Sequence, residues 1–543
     1  MLPWKLLLGI NSINIKSFIK RPILVVKWAF FNTMSKYTLF LFILVLFNSC
    51  GIFKTYEKHP KTEFRGVWIA TVVNIDWPKN GNDSNEKQKA DYIKILDFYQ
   101  KENYNAVIVQ IRAAGDAFYA SDYAPWSRFL TGEEGTSPNW NIDVLEWMIL
   151  EAHHRGMEFH AWLNPYRATF DENFEVLAES HDYCTHPEWM VHYGKKNYYN
   201  PGLPEVRNHF SNIIAEIVSN YDVDAIHFDD YFYPYKIKDE VFNDSTAFET
   251  YAKKDQSIDD WRRSNIDSLV KQSHKTIKSI KPWVQFGISP FGVWKNNSTD
   301  PKGSNTKAGQ TTYEDLYADP LLWMEKGWID YLAPQVYWSM DLPVASHKTI
   351  VDWWSKNNFK TNLYIGNGAY KVRNNSDKAW DDIKELPMQL ELARETPQVS
   401  GNIMFSAKSL MSDKVDVVEY IHKKYYKLPA LNPSFPLSKT TEIKTPRLKI
   451  TEQTENDFIL HLDDTKNMRY ALLYKTGRKV KDEYPIKKLV FKIFLDDNPN
   501  RLLIQRNQVS DNFLALSFID IYGVETEPMI INLKKLAKDG SKR

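Results

Sequence analysis

From residue 64 onward, short apolar runs alternate with segments of helical periodicity. Eight runs are rich in β-branched or aromatic residues, and they cover 64–71, 105–112, 158–166, 224–234, 285–294, 331–338, 362–370 and 401–409. In the segments between them, apolar residues recur every three or four positions, as on one face of a helix. Examples are 86–102, 142–156, 204–220 and 258–280. Strands that alternate with helices form parallel sheets, and eight such units can close on themselves. The pattern predicts an α/β fold, a (β/α)8 TIM barrel over residues 62–428.

The pattern changes after Leu428. Pro429, Pro433 and Pro436 indicate a linker over 429–439, and helical periodicity then gives way to alternating apolar and polar positions. Short strands at this spacing are typical of a β-sandwich, so residues 440–536 are predicted to form a C-terminal immunoglobulin/fibronectin-III-like β-sandwich. The basic residues of 537–543 form a solvated tail.

The first 49 residues have the character of an export signal. Residues 38–47 form an apolar run behind Lys36, too short for a bilayer-spanning helix but typical of a signal peptide, with Met34 as the expected true start. The sequence LFNSCG follows and resembles a lipoprotein cleavage site, so Cys50 is the expected lipidated residue and 50–61 a lipidated linker. The alternative is a plain signal anchor. No acidic cluster follows Cys50, and we expect an exported protein, lipid-anchored to the outer membrane and facing the periplasm.

Composition narrows the classes of partner. Residues 50–543 hold 63 basic and 68 acidic side chains, a net charge of −5, which disfavours nucleic acid as a partner. The two cysteines, Cys50 and Cys184, cannot build a disulfide framework or a cysteine-based zinc site. The chain is instead rich in aromatic residues, at 14% with 18 tryptophans. Flat aromatic rings bind the apolar faces of sugars, so a glycan partner is favoured.

Catalytic residues of such barrels lie at the carboxyl ends of the strands. There the sequence places aromatic rings next to amides, arginines and carboxylates, which can take up sugar hydroxyl groups. For any single aromatic residue, packing in the core is an equally good explanation, but many converge on one rim. The predicted substrate-binding residues are Asp76, Trp77, Arg112, Trp162, Asn164, Arg167, His227, Tyr231, Tyr233, Phe291, Trp294, Gln335, Tyr337 and Trp338.

The fourth run, DAIHFDDYFYP, ends in two adjacent carboxylates. Because side chains alternate along a strand, Asp229 should point into the barrel mouth, while Asp230 either turns inward or caps the next segment. Glycoside hydrolysis usually needs two carboxyl groups. Asp229 is the predicted nucleophile or base; Asp230, Asp116 and Asp76 remain candidates for the acid, with Glu314 and Asp315 as outsiders. A divalent metal at the pair is a weaker reading, because no third ligand stands at a familiar spacing.

Six motifs together resemble the bacterial glycosyl-hydrolase-like family ten: FRGVWIATVVNIDWP, HAWLNPYR, NPGLPEVR, DAIHFDDYFYP, FGISPFGVW and YLAPQVYW. The resemblance implies a barrel in an exported, often lipid-anchored protein, similar to hydrolases of peptidoglycan strands stripped of their stem peptides. It does not identify the catalytic pair. Strand four also resembles the chitinase pattern D-x-x-D-x-D-x-E, but His227 and Tyr231 replace two of its acids.

The sequence therefore predicts a glycoside hydrolase that acts on cell-envelope glycan and needs no cofactor. The favoured substrate is peptide-free peptidoglycan. On an N-acetylated substrate, the acetamido group could itself act as nucleophile while Asp229 orients it. Two alternatives stay open: a non-catalytic glycan-binding protein, and a hydrolase of another polysaccharide such as an α-glucan. A zinc deacetylase ranks third, because His160 and His227 are expected to hydrogen-bond inside the barrel and His153 and His154 to lie on solvated surface.

Overall fold

The computed structural model describes residues 59–412, 414–435, 444–495, 500–509 and 513–533. The predicted signal region, Cys50 and the basic tail lie outside these residues, as do 50–58 of the first linker and 436–439 of the second. Within the described ranges, no helix is both long and apolar enough to cross a bilayer. Cys184 is an exposed free thiol.

Eight parallel strands close into the predicted barrel. Neighbouring strands follow the order β1, β2, β3, β6, β7, β8, β9 and β10, and β10 pairs back onto β1 with Phe64 opposite Gly401. Their bounds are Phe64–Ile69 (β1), Ala106–Arg112 (β2), Glu158–Leu163 (β3), Ala225–Phe228 (β6), Gln285–Ile288 (β7), Tyr331–Leu332 (β8), Asn362–Asn367 (β9) and Val399–Met404 (β10). A hairpin, Met190–Tyr193 (β4) and Lys196–Tyr199 (β5), is inserted after β3.

Helices surround the strands and bury their apolar faces against them. Two of them, α5 and α7, cover 204–220 and 258–280 as the periodicity predicts. The helices are Asn85–Lys101 (α1), Arg128–Thr131 (α2), Val144–His154 (α3), Asp182–Thr185 (α4), Pro204–Asn220 (α5), Ser245–Tyr251 (α6), Ile258–Ile280 (α7), Thr312–Asp315 (α8), Pro320–Glu325 (α9), His347–Lys356 (α10), Glu385–Glu395 (α11), Ala407–Met411 (α12) and Val415–Lys424 (α13).

The barrel interior is filled by side chains from alternate positions of the strands. Tyr331 crosses this interior because Gly287 on the neighbouring strand leaves it room: a Cβ at Gly287 would lie 1.9 Å from the tyrosine ring. The Tyr331 hydroxyl then reaches His227 Nδ1 at 2.8 Å and His160 Nδ1 at 2.9 Å. The expectation that both histidines hydrogen-bond within the barrel is confirmed.

Seven C-terminal strands form two antiparallel sheets. The order is β11-β12-β15 in one sheet and β14-β13-β16-β17 in the other, which is a fibronectin-III-like arrangement. The bounds are Arg447–Gln453 (β11), Asp457–Asp463 (β12), Met468–Lys475 (β13), Leu489–Phe494 (β14), Arg501–Gln505 (β15), Phe513–Asp520 (β16) and Met529–Asn532 (β17). The predicted fold class, a barrel followed by a β-sandwich, is confirmed.

The sandwich packs on the amino-terminal end of the barrel strands. Arg469 on β13 lies with its Nε 2.8 Å from Asp224, just before β6, and its Nη1 3.0 Å from Asp222. His153 is fully buried here, 2.8 Å from Asp224 and in ring contact with Phe494. The prediction that His153 lies on solvated surface is therefore wrong, because the sandwich covers that end of the barrel.

Candidate active site

A cleft of about 210 Å³ opens at the carboxyl ends of the barrel strands. Its wall combines aromatic rings, amides and two acidic side chains, and includes an apolar patch of Ala70, Val72 and Ile75. The other lining residues are Trp68, Gln110, Trp162, Asn164, Arg167, Asp229, Asp230, Tyr231, Tyr235, Ser289, Gln335, Tyr337, Tyr370 and Phe405. The whole lining comes from the barrel.

Strand β6 ends at Phe228, so the next two residues leave the sheet at the cleft floor. Asp229 is 4% exposed and accepts a hydrogen bond from the Tyr231 backbone N–H at 3.1 Å. Asp230 is 2% exposed and accepts a hydrogen bond from the Tyr235 hydroxyl. The strand ends before these two residues, so their side chains no longer alternate and both carboxyl groups face the cleft. Of the two orientations considered for Asp230, the structure shows the inward one.

Burial dominates the electrostatics of the pair. Loss of solvent and, second, the neighbouring Asp230 charge together raise the pKa of Asp229 to about 8, against the lowering effect of Arg167. Burial also raises the pKa of Asp230, although the hydrogen bonds from Tyr235 and Gln335 favour its ionised form. Two carboxyl groups in one buried site do not both ionise at neutral pH. The pair therefore holds one proton, and Asp229 is the better place for it.

Contacts with the barrel interior and between the rings hold the aromatic side chains of the cleft in place. Trp68 donates its indole N–H to His227 Nε2 at 3.2 Å, so that nitrogen is an acceptor and His227 is neutral with its proton on Nδ1. Burial lowers the pKa of His227 well below its ordinary value, which keeps this tautomer neutral. Phe405 packs edge-on against Trp68 at 6.1 Å, and Tyr337 stacks on Phe405 with ring centroids 5.8 Å apart. These rings are fixed before any ligand binds.

Several polar groups of the cleft are already committed to the protein. Asn164 accepts from the Trp162 indole at 3.1 Å and donates to the Ala113 carbonyl at 3.0 Å. Gln335 donates to the Ser289 carbonyl at 2.9 Å. Arg167 differs, because its Nε is buried and finds no hydrogen-bond partner among the residues that the structure describes. Its guanidinium carbon lies 4.3 Å from the centre of the Tyr231 ring.

Eight of the predicted site residues line this cleft: Trp162, Asn164, Arg167, Asp229, Asp230, Tyr231, Gln335 and Tyr337. Phe291 and Trp338 stand behind this lining, packed edge to face at 5.4 Å. Trp294 lies farther out, stacked on Trp353. His227 is buried beneath the floor, where it supports Trp68.

The acid candidates outside strand four lie away from the cleft lining. Asp76 accepts from the Ala70 N–H at 2.8 Å, the Ser406 hydroxyl at 2.8 Å and the Lys408 N–H at 2.9 Å, and so ties the ends of β1 and β10 together. Asp116 is buried and accepts from the Ala114 N–H at 3.2 Å. The outsiders Glu314 and Asp315 accept hydrogen bonds from Thr311 at the start of α8.

Three more predicted binding residues are packed in the protein interior. The Trp77 indole donates to the Gln88 carbonyl at 2.7 Å. Arg112 donates to the Tyr199 hydroxyl at 3.2 Å, and Tyr233 packs against Phe242. All three follow or end a barrel strand, but their side chains are buried and do not line the cleft. Position at a strand end was therefore not enough to predict which side chains face the cleft.

The predicted site lacks four aromatic residues of the lining, Trp68, Tyr235, Tyr370 and Phe405. Alternation along β1 could have identified Trp68, since Phe64, Gly66 and Trp68 share the inward face. Tyr235 follows the Asp pair by five residues in a loop, and Phe405 follows β10 directly. No sequence period places either one. Among the described residues no cluster of His, Cys, Asp or Glu could hold a metal ion.

The sequence matches a known family and known relatives. The family described as "Glycosyl hydrolase-like 10" matches residues 63–382. The glycosyl hydrolase YngK of Bacillus subtilis (strain 168) is 46% identical over 427 residues, which cover 77% of this chain and 83% of the relative. The glycosyl hydrolase DigH of Escherichia coli (strain K12) is 37% identical over 385 residues, 66% of this chain and 87% of the relative. Among solved structures, the PgaB (BpsB) glycoside hydrolase domain from Bordetella bronchiseptica aligns with a TM-score of 0.45 at 11% identity, over 66% of this chain and 98% of that one.

Proposed function

The chain belongs to the glycosyl hydrolase-like 10 family, and from that premise we propose that it hydrolyses glycosidic bonds of cell-envelope glycan, with peptide-free peptidoglycan strands as the substrate. The observation that carries the proposal is the buried Asp229–Asp230 pair on the floor of an aromatic cleft. A carboxyl group that keeps its proton near neutral pH is what protonation of a leaving glycosidic oxygen requires. The aromatic rings around it suit the faces of pyranose sugars.

The electrostatics favour a division of roles within the pair. Asp229 holds the proton and is the general acid, whereas Asp230, which accepts from Tyr235 and Gln335, is the ionised partner. This revises the expectation that Asp229 is the nucleophile or base. A carboxylate next to the acid can orient the acetamido group of an N-acetylated sugar, which then acts as the nucleophile itself. The apolar patch of Ala70, Val72 and Ile75 offers contact for the acetamido methyl group.

Release of reducing ends tests the proposal. Purified protein is incubated with peptide-free peptidoglycan, intact peptide-bearing sacculi, chitin oligosaccharides and starch, with Asp229→Asn as the inactive control. We expect the fastest release from the peptide-free strands. Equal cutting of intact sacculi would contradict the substrate, and preference for starch would favour an α-glucan hydrolase. Tight binding of strands without any release would favour a glycan-binding protein instead.

We propose further that the protein is exported and anchored to the outer membrane through an acylated Cys50, facing the periplasm. The support is the short apolar run at 38–47 followed by LFNSCG. Mass spectrometry of the native amino terminus should find a lipid on Cys50, and Cys50→Ser should move the protein out of the membrane fraction. An unmodified terminus at another residue would contradict the anchor.

A further inference from the structure

Arg167 is an unusual member of the cleft. Among the described residues that line the cleft, it is the one basic side chain; the others are aromatic, amide, hydroxyl, apolar or acidic. The residue is only 5% exposed, and its Nε has no hydrogen-bond partner within the described part of the chain. Its guanidinium lies over the Tyr231 ring, which holds the plane of the group in place. A buried guanidinium with an unused donor is costly unless a ligand completes it.

The two nearby aspartates do not bind the Arg167 guanidinium. Neither Asp229 nor Asp230 forms an ion pair with Arg167 in the described structure, although its charge lowers the pKa of both. With one proton shared by the pair, one negative and one positive charge face the cleft. The guanidinium can therefore accept a further anionic group from the substrate without leaving the site strongly charged.

Peptide-free strands carry such a group. In intact peptidoglycan the lactyl ether of each N-acetylmuramic acid ends in an amide to the stem peptide. Hydrolysis of that amide leaves a carboxylate on the lactyl group, next to the sugar ring. A planar guanidinium with several N–H donors matches a carboxylate in both charge and shape. A neutral amide that bears a peptide matches it in neither.

We propose that Arg167 binds the lactyl carboxylate of N-acetylmuramic acid and thereby selects strands whose stem peptides have been removed. The assignment rests on the function proposed above and adds the residue that reads the substrate. Arg167 is a binding and specificity residue, and protonation of the leaving oxygen remains with the aspartate pair. It also places this protein after a reaction that hydrolyses the lactyl amide, because that reaction creates the anion that Arg167 recognises.

The test changes the substrate first, so that the folded wild-type protein gives the answer. Peptide-free strands are compared with the same strands whose lactyl carboxylates have been reduced to alcohols, and kcat/KM is measured for each. Loss of a charge-assisted hydrogen bond predicts a decrease of roughly tenfold to a hundredfold on the reduced strands. Equal rates on both would overturn the inference while the proposed function stands.

Variants then locate the effect. In Arg167→Gln the ratio of kcat/KM on intact carboxylates to that on reduced ones should fall close to one, and Arg167→Lys, which keeps the charge but not the planar fork, should give an intermediate ratio. Arg373→Gln, which removes an exposed guanidinium paired with Asp416, should keep the wild-type ratio. A folded Arg167→Gln variant that keeps the wild-type ratio would show that another group reads the carboxylate. Absence of cleavage of either strand by the wild-type protein would contradict the proposed function itself.

Discussion

Strand β6 is flanked by buried aspartates at both ends, and they behave in opposite ways. Asp224 precedes the strand and lies 2.8 Å from both Arg469 Nε and His153 Nε2. Burial alone would raise its pKa, but these two partners outweigh burial and hold the pKa well below its ordinary value. Asp229 follows the strand, is equally buried and has no ion pair, so its pKa is raised. The ion-paired Asp224 is therefore a structural contact. Asp229, which lacks such a pair among the described residues, keeps a raised pKa that suits proton transfer.

The two ends also differ in what covers them. At the amino-terminal end, the sandwich supplies Arg469, Lys492 and Tyr470 to the interface, and Tyr470 donates to the Met157 carbonyl at 3.4 Å. At the carboxyl end, loops of the barrel alone build an open cleft. One end of the barrel is therefore committed to stability and the other to binding, as in other barrels of this class.

The largest expected effect comes from Asp229. Asp229→Asn keeps the shape of the side chain but removes its proton donor, and kcat on peptide-free strands should fall by a factor on the order of 10³ or more. The alkaline limb of the wild-type rate profile, expected near pH 8 where the pair loses its proton, should vanish with it. Asp352→Asn, at an exposed pair with Lys356, is the matched control and should keep full activity. Near wild-type turnover in folded Asp229→Asn would show that the acid is another group.

At the amino-terminal end of β6, substitution of Asp224 should lower the stability of the fold. Asp224→Asn leaves Arg469 buried without its main partner, and the free energy of unfolding should fall by about 3 kcal/mol or more. Urea denaturation at pH 7 measures the change. Asp222→Asn removes the exposed partner of the same arginine and should have a much smaller effect, since its side chain is 54% exposed. A similar loss in both variants would mean that burial of Asp224 does not set the strength of this contact.

The sequence predicted much of this molecule for a physical reason. Strand and helix periods repeat over many residues, so the barrel, the sandwich and the bounds of α5 and α7 follow from pattern alone. Alternation along strand four also indicated that Asp229 faces the cleft. Contacts made across the fold have no such period. The cover that the sandwich forms over His153, and the loops that bury Trp77 and Tyr233, depend on residues far apart in the chain.

The same comparison predicts that Asp229→Asn is more stable than the wild type above neutral pH. The folded-state pKa of Asp229 is raised, so the wild-type protein loses stability as pH rises from its ordinary pKa of 3.8 to about 8. Asparagine has no proton to lose. The gain in unfolding free energy over wild type should therefore grow between pH 6 and pH 8, by about 2 kcal/mol. Urea denaturation at both pH values measures it, and a constant difference would contradict the raised pKa.

The smallest effect is expected at Lys492, on the sandwich side of the interface. Burial lowers its pKa to about 8, although it donates to the Gly156 carbonyl at 2.8 Å and lies over the Tyr470 ring. Between pH 8 and its ordinary pKa of 10.5, the unfolded chain binds a proton that the folded chain has released. Stability of the wild-type protein should therefore rise between pH 8 and pH 10, by about 2 kcal/mol relative to Lys492→Met.

Urea denaturation at pH 8 and pH 10 measures this difference, with Lys488→Met as a control at an exposed position on the same part of the chain. The control should follow the wild-type slope, because the Lys488 side chain is exposed and Lys492 is unchanged in this variant. Parallel pH dependence in wild type and Lys492→Met would mean that Lys492 remains hydrated in solution. The contrast between the two ends of β6 would then rest on the contacts of Asp224 with Arg469 and His153, without a contribution from the charge of Lys492.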